Sequence, residues 1–474
     1  MTRWNTSSYC CLATTLWIER NSMLKWRDLE ELIAKLSSNS MPVSKLPYPD
    51  YKFKSGWNAL LPARIPNPEL AEKIEIDVAI VGAGFTGISA AKRWRELQPD
   101  ATIALLDSSE IGEGNPGRNS GFLLEISLAE DADARNIEKM AASNKLISET
   151  MQHIVSEVQK SGMDCDIKRA GTYRAAASDI GNRSLNKYQA FLKATKTPFE
   201  ELDKSELKQR LGTSFYQAGL YSPHCYLVQP ASVIRALATN LPNDINLFEN
   251  TAALSLTANK NKNGWTIKTA HGSIQSKKVV LANNAFSKDL GIGKSCLVAM
   301  YTYAGLTPQL EPGILECLGS DKNWGLLPAH RLGSTLRRTA DGRLLIRSHY
   351  GYEAESSIDV IRTKLRSRMQ NRFPQLDQIK FEHVWGGAVG FTFNGGALWG
   401  EAKPGLFVSA GCNGGGTVKG TLLGRLLANL ANGKEVPNVA KLFGKASWMP
   451  PDPFRALGFH LASLLENIQG HKEL

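Results

Sequence analysis

Apolar positions along this chain fall into patterns that separate buried strands, amphipathic helices and hairpins. Residues Ile76–Val81 are apolar and β-branched apart from Asp77 and Ala79, which suits a parallel strand buried on both faces. Ile88, Ala91 and Trp94 then recur at helical spacing, and "ATIALLD" (101–107) reads as the next strand. Pro230 suits a helix start, and Ala231–Leu241 keeps helical periodicity. The stretch 131–162 is polar and helical, "RAGTYRAAAS" (169–178) reads as a strand, and "KKVVLANNAFSKDLG" is an apolar strand ending at Ala282 and Asn283. The alternating segments "STLRR" and "RLLIRSHY" are joined by "TADG", and the Asp341-Gly342 pair marks a hairpin. In "IRTKLRSRMQNRF", Ile361, Leu365, Met369 and Phe373 repeat every four residues, a helix showing a basic face to water. Near the end, "PGLFVSAGCNGGGTVKGTLLGRLLANLANG" (404–433) reads as strand, glycine loop and helix.

The first strand and helix enclose a dinucleotide-binding motif in full context. Gly82, Gly84 and Gly87 have the GxGxxG spacing between the apolar run and the helical pattern. Gly82 permits a tight turn, Gly84 lets a pyrophosphate approach the backbone, and Gly87 lets helix and strand pack closely. Unpaired N–H groups at the helix start, around Phe85 and Thr86, favour the phosphates. Asp107 ends the second strand, where its carboxylate accepts hydrogen bonds from a ribose. The motif alone does not choose between NAD and FAD.

Bulk properties narrow the class. The 474 residues carry a net charge of +11 and are 42% hydrophobic, as in a globular protein with ample core. The positive charge favours anionic partners, but basic residues are interspersed with acids and no adjoining nucleic-acid module or clustered aromatic-basic face occurs. Seven scattered cysteines (10, 11, 165, 225, 296, 317 and 412) without a CxxC pair indicate a reducing compartment, so a cytoplasmic protein is expected. No apolar run is long enough to span a membrane. "YCCLATTLWI" (9–18) imitates a signal-peptide core but is interrupted by two threonines and lacks a cleavage site. "WRDLEELIAKL" (26–36) reads as a short helix. Residues 1–45 are taken as an extension without chemistry. The terminal "PPDPFRALGFHLASLLENI" reads as a docked C-terminal helix, with a place on a membrane surface as the alternative.

"SSEIGEGNPGRNSGFL" (108–123) follows the ribose acid directly, and "GRNSGF" within it resembles the second flavin-contacting loop of the D-amino acid oxidase family. The likeness is to the branch containing gamma-glutamylputrescine oxidase-like enzymes. It extends over roughly residues 45–460: "YLVQPASVIRALATNL" resembles the family's proline-led helix, and "AGCNGGGTVKG" its C-terminal flavin motif.

The resemblance implies an α/β fold. A Rossmann-like FAD-binding domain would be assembled from residues 46–165, 225–292 and 396–445. An α+β substrate domain with a largely antiparallel sheet would take 166–224 and 293–395, leaving a C-terminal helix in 446–474.

The same resemblance supplies a cofactor site. Gly82, Gly84, Phe85, Thr86, Gly87, Asp107 and Ser108 would hold the adenosine and pyrophosphate. Arg118 and Asn119 would follow the pyrophosphate and ribityl chain, with Ser120 and Gly121 beside the flavin ring. A strand around Thr251–Ala253 would read the adenine, Ala253 included, and Ala282 and Asn283 would close over the dinucleotide. Gly411, Asn413, Gly414, Gly415 and Gly416 would bring bare backbone to the flavin's carbonyl edge, with the helix from Thr417 stabilising negative charge on the reduced ring.

Implied too are hydride transfer to FAD from a carbon bearing an amine, hydrolysis of the imine to a carbonyl compound, and an anchor for the substrate's far end. Arginine suits a carboxylate, so Arg337, Arg347 and His349 on the substrate sheet are the catalytic candidates. Alternation puts Arg337 and Arg338 on opposite faces, so at most one of them is expected to point inward. Tyr301 and Tyr303 could form hydrogen-bonding walls. "GGAVGFTFNGG" lacks the cysteine with which one branch tethers flavin, so FAD is expected to bind non-covalently. "LLIRSHY" lacks the lysine that activates dioxygen in some relatives, leaving oxygen and a quinone-type acceptor both open. A flavin monooxygenase would need a Gly-Asp motif where "AGCNGGGTVKG" has no Asp. A flavin-dependent tRNA-modifying protein would need an RNA-binding surface.

Overall fold

The strand Lys73–Val81 is the axis of the first of two large sheets in a computed structural model that describes residues 46–124, 137–259 and 263–474. Across that sheet the order is Leu398–Lys403, Leu406–Ala410, Ser273–Leu281, Lys73–Val81, Ile103–Leu106 and Ile245–Phe248. All neighbours are parallel except the antiparallel edge strand Leu398–Lys403. Trp265–Lys268 and Ser255–Ala258 add an antiparallel extension to Ser273–Leu281.

Register brings the carboxyl ends of these strands level, with Val81 opposite both Leu106 and Leu281. In open α/β sheets that rim is where ligands bind. Alternate residues of the axial strand serve two cores. Val78 and Ile80 pack with Ile88, Trp94, Leu423 and Leu427 of the helices, while Ala79 and Val81 pack with Trp265 and Ile267. Burial of an aliphatic side chain of this size stabilises the fold by about 2 kcal/mol.

The helices Phe85–Leu97 and Val418–Ala431 start 333 positions apart in sequence but lie side by side on the sheet. Their contact depends on missing side chains. A Cβ at Gly424 would collide with the Thr86 carbonyl oxygen, and one at Gly420 would stand 2.9 Å from Thr86 Oγ1. Ser89 Oγ donates to the Thr421 carbonyl oxygen at 2.8 Å across the same seam.

The second sheet has eight strands in the order His383–Phe391, Val298–Leu306, Leu344–Tyr352, Thr335–Arg338, Trp324–Pro328, Thr172–Ala176, Ala218–Ser222 and Glu200–Asp203. Every pairing is antiparallel except that of Trp324–Pro328 with Thr172–Ala176. The helix Ile358–Arg372 covers one face with Ile361, Leu365 and Met369, as its spacing predicts, and Phe373 is buried with them. On the opposite face Leu345 and Ala304 pack with Trp57 and Trp385. Those two indoles donate to the carbonyl oxygens of Asn119 (2.8 Å) and Arg118 (3.1 Å), fixing the cofactor-side loop to the second sheet.

Several expectations meet the structure differently. Arg337 and Arg338 do point to opposite faces, yet both are buried, because protein covers the sheet on both sides. Thr251–Ala253 lies in irregular backbone between two strands, not within one. Tyr301 and Tyr303 belong to the core, and Tyr303 Oη accepts from Ser356 N at 2.6 Å. The 1–45 extension, with its signal-like stretch and short helix, lies outside the described residues, as does the 131–136 start of the polar helical stretch.

Candidate functional site

One cavity opens at the carboxyl rim of the first sheet, and residues from both ends of the chain line it. Gly82, Gly84, Phe85 and Thr86 contribute from the N-terminal motif, and Gly414, Gly416 and Thr417 from the C-terminal loop. Asp107, Ser108, Asn119, Ala253, Ala282 and Asn283 complete the predicted residues on its wall. The segment Pro47–Pro49 lines one side, and Ala388 and Val389 of the second sheet another.

Local backbone explains the N-terminal end. Gly82 has φ +101°, a left-handed turn that a β-carbon would strain, and its N–H donates to the Leu106 carbonyl oxygen. Gly87 is absent from the wall because its role is packing: a Cβ there would strike the Gly82 carbonyl oxygen and stand 3.3 Å from Leu105. No side chain caps the helix Phe85–Leu97, whose N-cap is Gly84, nor the helix that begins after Thr417. Two uncapped N-termini thus meet one cavity, each presenting partial positive charge.

Asp107 also organises the turn. One carboxylate oxygen accepts from Ala83 N at 2.9 Å, and the other accepts from Ser109 N and Oγ, each at 3.0 Å. Burial raises its pKa against these bonds. The oxygen that accepts from Ala83 keeps a second lone pair for a ribose hydroxyl. Opposite, both polar atoms of the Asn283 side chain are buried without a protein partner, as expected of a side chain that serves a ligand.

The C-terminal glycine loop is held from behind. Asn413, at φ +49°, accepts from Thr392 N at 2.9 Å and donates to the carbonyl oxygens of Gly395 and Gly411, each at 2.8 Å. Asn284 Oδ1 accepts from Gly411 N at 3.0 Å, and its Nδ2 donates to Cys412 Sγ at 3.1 Å. Asn413 and Gly411 therefore shape the loop and do not line the cavity. A Cβ at Gly415 or Gly416 would meet no protein atom closer than 3.4 Å. The protein's own packing does not demand glycine at those two positions, and of the two Gly416 lines the cavity while Gly415 does not.

The expected flavin-side residues separate into two groups. Asn119 reaches the wall, but Arg118 does not. Its guanidinium donates to the carbonyl oxygens of Glu113, Gly386 and Phe53, pairs with Glu113 at 3.2 Å, and stacks 3.8 Å from the Tyr51 ring centroid. The expectation that it follows the pyrophosphate is corrected accordingly: a cluster of acceptors in the protein claims it. Tyr51 bonds to Asn115, and burial pushes its phenol up to about 12, so it stays neutral. Ser120 is buried beneath the wall, and Gly121 is pressed against Val228 and Arg337.

Lys419 was not foreseen. Among the described residues lining the cavity it is the only Lys or Arg, and no hydrogen bond or ion pair within those residues engages it. Its ammonium lies beside the glycine loop, with Nζ 3.8 Å from where a Cβ at Gly415 would stand. A lysine in the first turn after a glycine loop was the available signal, but periodicity alone reads it as a solvated helix position.

Arg337, Arg347 and His349 do not form one cluster. Arg337 is buried, donates to the Val228 carbonyl oxygen, pairs with Asp166 at 3.3 Å and lies 5.1 Å from the Trp57 ring centroid. Burial lowers its pKa to about 10, still well above neutrality. Arg347 stands opposite Ala304 and Thr335, on the face that Leu345 presents to Trp57 and Trp385. It is half-buried and has no hydrogen-bond or ion-pair partner among the described residues. His349 would share that face by alternation, but a register shift and its φ of +62° turn it away, and Nε2 accepts from Arg368 Nε at 3.2 Å. Burial and the Arg368 and Lys364 charges lower its pKa to about 3, keeping the ring neutral.

Parallel-sheet topology, a fingerprint turn and a second glycine loop on one cavity define a dinucleotide-binding protein. Residues 77–430 match the family described as FAD dependent oxidoreductase, and the chain belongs to that family; it is an oxidoreductase with FAD as cofactor. It is 25% identical over 386 residues to the probable oxidoreductase OrdL of Rhizobium meliloti, covering 80% of this chain and 88% of that one. It is likewise 25% identical over 402 residues to gamma-glutamylputrescine oxidoreductase of Escherichia coli, covering 82% and 90%. Among solved structures, glycine oxidase from Geobacillus kaustophilus superposes with a TM-score of 0.66 at 21% identity, covering 79% of this chain and 99% of that one.

Proposed function

We propose that this enzyme oxidises the C–N bond of an amine or amino acid, yielding an imine that water hydrolyses to a carbonyl compound. The observation that carries the reading is the similarity to a gamma-glutamylputrescine oxidoreductase over 402 residues, 82% of this chain. The fit of the cavity to the cofactor supports it: two uncapped helix starts, the unpartnered Asn283 amide and the bare backbone of Gly414 and Gly416 on the wall suit FAD. FAD supplies the hydride acceptor; the protein supplies position and a dry, polarised surround.

Gly82, Gly84, Thr86 and Lys419 hold the pyrophosphate, and Asp107 holds the ribose. Gly414, Gly416 and Thr417 would hold the flavin end, with Gly415 in the same loop. The substrate side presents Ala388, Val389 and Phe286, which exclude water and carry no charge, so a bound amine is favoured in its neutral form. Arg347, half-buried and without a partner on the cofactor-side face, anchors a substrate carboxylate. FAD is bound non-covalently, with dioxygen or a quinone as final electron acceptor. Among described cavity residues, Cys412 is the one thiol, and it already accepts from Asn284.

The test is anaerobic mixing of the yellow protein with D-amino acids, N-methyl amino acids and free or gamma-glutamylated polyamines. Bleaching of the visible flavin band identifies the donor, and admitting air tests dioxygen. A protein that binds FAD but is bleached by no amine overturns the substrate class and leaves the fold standing. Acid precipitation that leaves the yellow colour in the pellet overturns non-covalent binding.

A further inference from the structure

The helix Phe454–Gln469 has no charged residue at its exposed positions. Its charged groups turn inward: Arg455 donates to the carbonyl oxygens of Pro450 (2.7 Å), Lys294 (3.0 Å) and Leu297 (3.3 Å). Glu466 pairs with His330 at 3.0 Å and Arg331 at 3.4 Å. The exposed positions are Phe454, Leu457, Gly458, Ala462, Asn467, Ile468 and Gln469, none of them charged. A helix facing water ordinarily shows the opposite arrangement.

Both ends of the helix are tied down. Met449 N donates to Ser295 O at 2.7 Å before it, and after it Glu473 is buried, accepting from Ala177 N at 2.9 Å and Ser178 Oγ at 2.6 Å. It also lies beyond the residues matched by the family, so the shared fold does not account for its uncharged face.

The apolar face continues past the start of the helix. Phe454 is 68% exposed, Trp448 66% and Phe393 81%. Asn394, next to Phe393, bonds to Lys445 O at 2.9 Å and Ser447 N at 3.1 Å, which sets Phe393 beside the Trp448 segment. Lys294, whose carbonyl accepts from Arg455, and Lys445, whose carbonyl accepts from Asn394, are exposed beside these aromatics, and Asp452 accepts from Tyr352 Oη at 2.6 Å.

We propose that this face docks on an anionic lipid surface. Aromatic residues seat at the headgroup boundary, Leu457 and Ile468 reach the acyl region, and Lys294 and Lys445 meet the anionic headgroups. Charge selects lipid over a second copy of the chain: a patch fringed by lysines repels its own image across a two-fold axis, and the whole chain carries +11. The turn at Phe393 is the one that Asn413 uses to brace the glycine loop, so docking sets the flavin end of the molecule toward the bilayer.

Flotation of the FAD-loaded protein with vesicles of equal phosphatidylglycerol and phosphatidylcholine tests this, with pure phosphatidylcholine as comparison. Binding should be about tenfold stronger to the anionic vesicles and should weaken with salt. Phe454→Ser with Leu457→Ser should abolish it, and Lys294→Glu with Lys445→Glu should remove the preference for anionic lipid. An unchanged flavin spectrum and melting temperature confirm that these surface variants are folded. Absence of flotation at low salt overturns the proposal, and so does retained flotation of the serine variant. A concentration-dependent dimer in light scattering that the serine variant loses assigns the face to a second copy and overturns it equally. Loss of amine oxidation would leave the vesicle result unaffected.

Discussion

Gly424 lies against Thr86 so closely that a single added methyl would strike the Thr86 carbonyl oxygen. That contact joins the helix Val418–Ala431, about two turns from its start, to the first turn of the fingerprint helix.

Gly424→Ala should therefore push the two helix starts apart. The expected result is a loss of about 2 kcal/mol of stability, in the range for overpacking, with weaker FAD binding. Thermal unfolding of the apo and FAD-loaded forms checks it: the gain in melting temperature on adding FAD should shrink.

Lys419→Met should weaken FAD by about tenfold, the loss of one charge-assisted contact to phosphate. Riboflavin, which has no phosphate, should bind the variant and the parent alike. Flavin fluorescence titrations at two salt concentrations measure both, and the salt dependence for FAD should be shallower in the variant.

Arg347→Met should raise KM for a carboxylate-bearing amine by about tenfold or more while leaving the oxidised-flavin spectrum unchanged. Arg347→Lys should recover only part of the loss, because an ammonium cannot reproduce the planar fork. Arg337→Met should behave differently. It removes the buried guanidinium that donates to Val228 and pairs with Asp166, leaves Asp166 to Lys168 at 4.0 Å, and costs about 3 kcal/mol of stability, seen in denaturant unfolding.

His349 makes stability depend on pH. Its pKa is about 3 in the folded chain against an ordinary value of 6.5, so the unfolded chain binds the proton more readily. Its contribution is fully present above pH 6.5 and is lost progressively as pH falls toward about 3. His349→Asn, which tolerates the left-handed backbone, should lose less stability between pH 6.5 and pH 4.5 than the parent in urea titrations.

Much of this site is legible in local sequence. A strand, GxGxxG and a helix specify the turn at Gly82, because no other arrangement of those residues buries the apolar run and frees the N–H groups. The same reasoning reads Asp341-Gly342 as a hairpin, and the structure closes it between Thr335–Arg338 and Leu344–Tyr352 with Gly342 at φ +83°. Arg118 and His349 show where local reading ends. Sequence supplies a guanidinium beside a flavin loop, but Glu113, Gly386 and Tyr51 decide where it points. Strand alternation puts His349 beside Arg347, but a register shift hands it to Arg368.

The sequence by itself determined the secondary elements and the two glycine clusters, since periodicity and backbone freedom are local properties. Only the tertiary structure decided that Gly84 and Gly416 line one cavity, that Lys419 and not Arg118 brings positive charge to it, and that the last helix turns its charges inward. Those outcomes depend on contacts between residues far apart in the chain, where burial and competing partners outweigh what any single segment prefers.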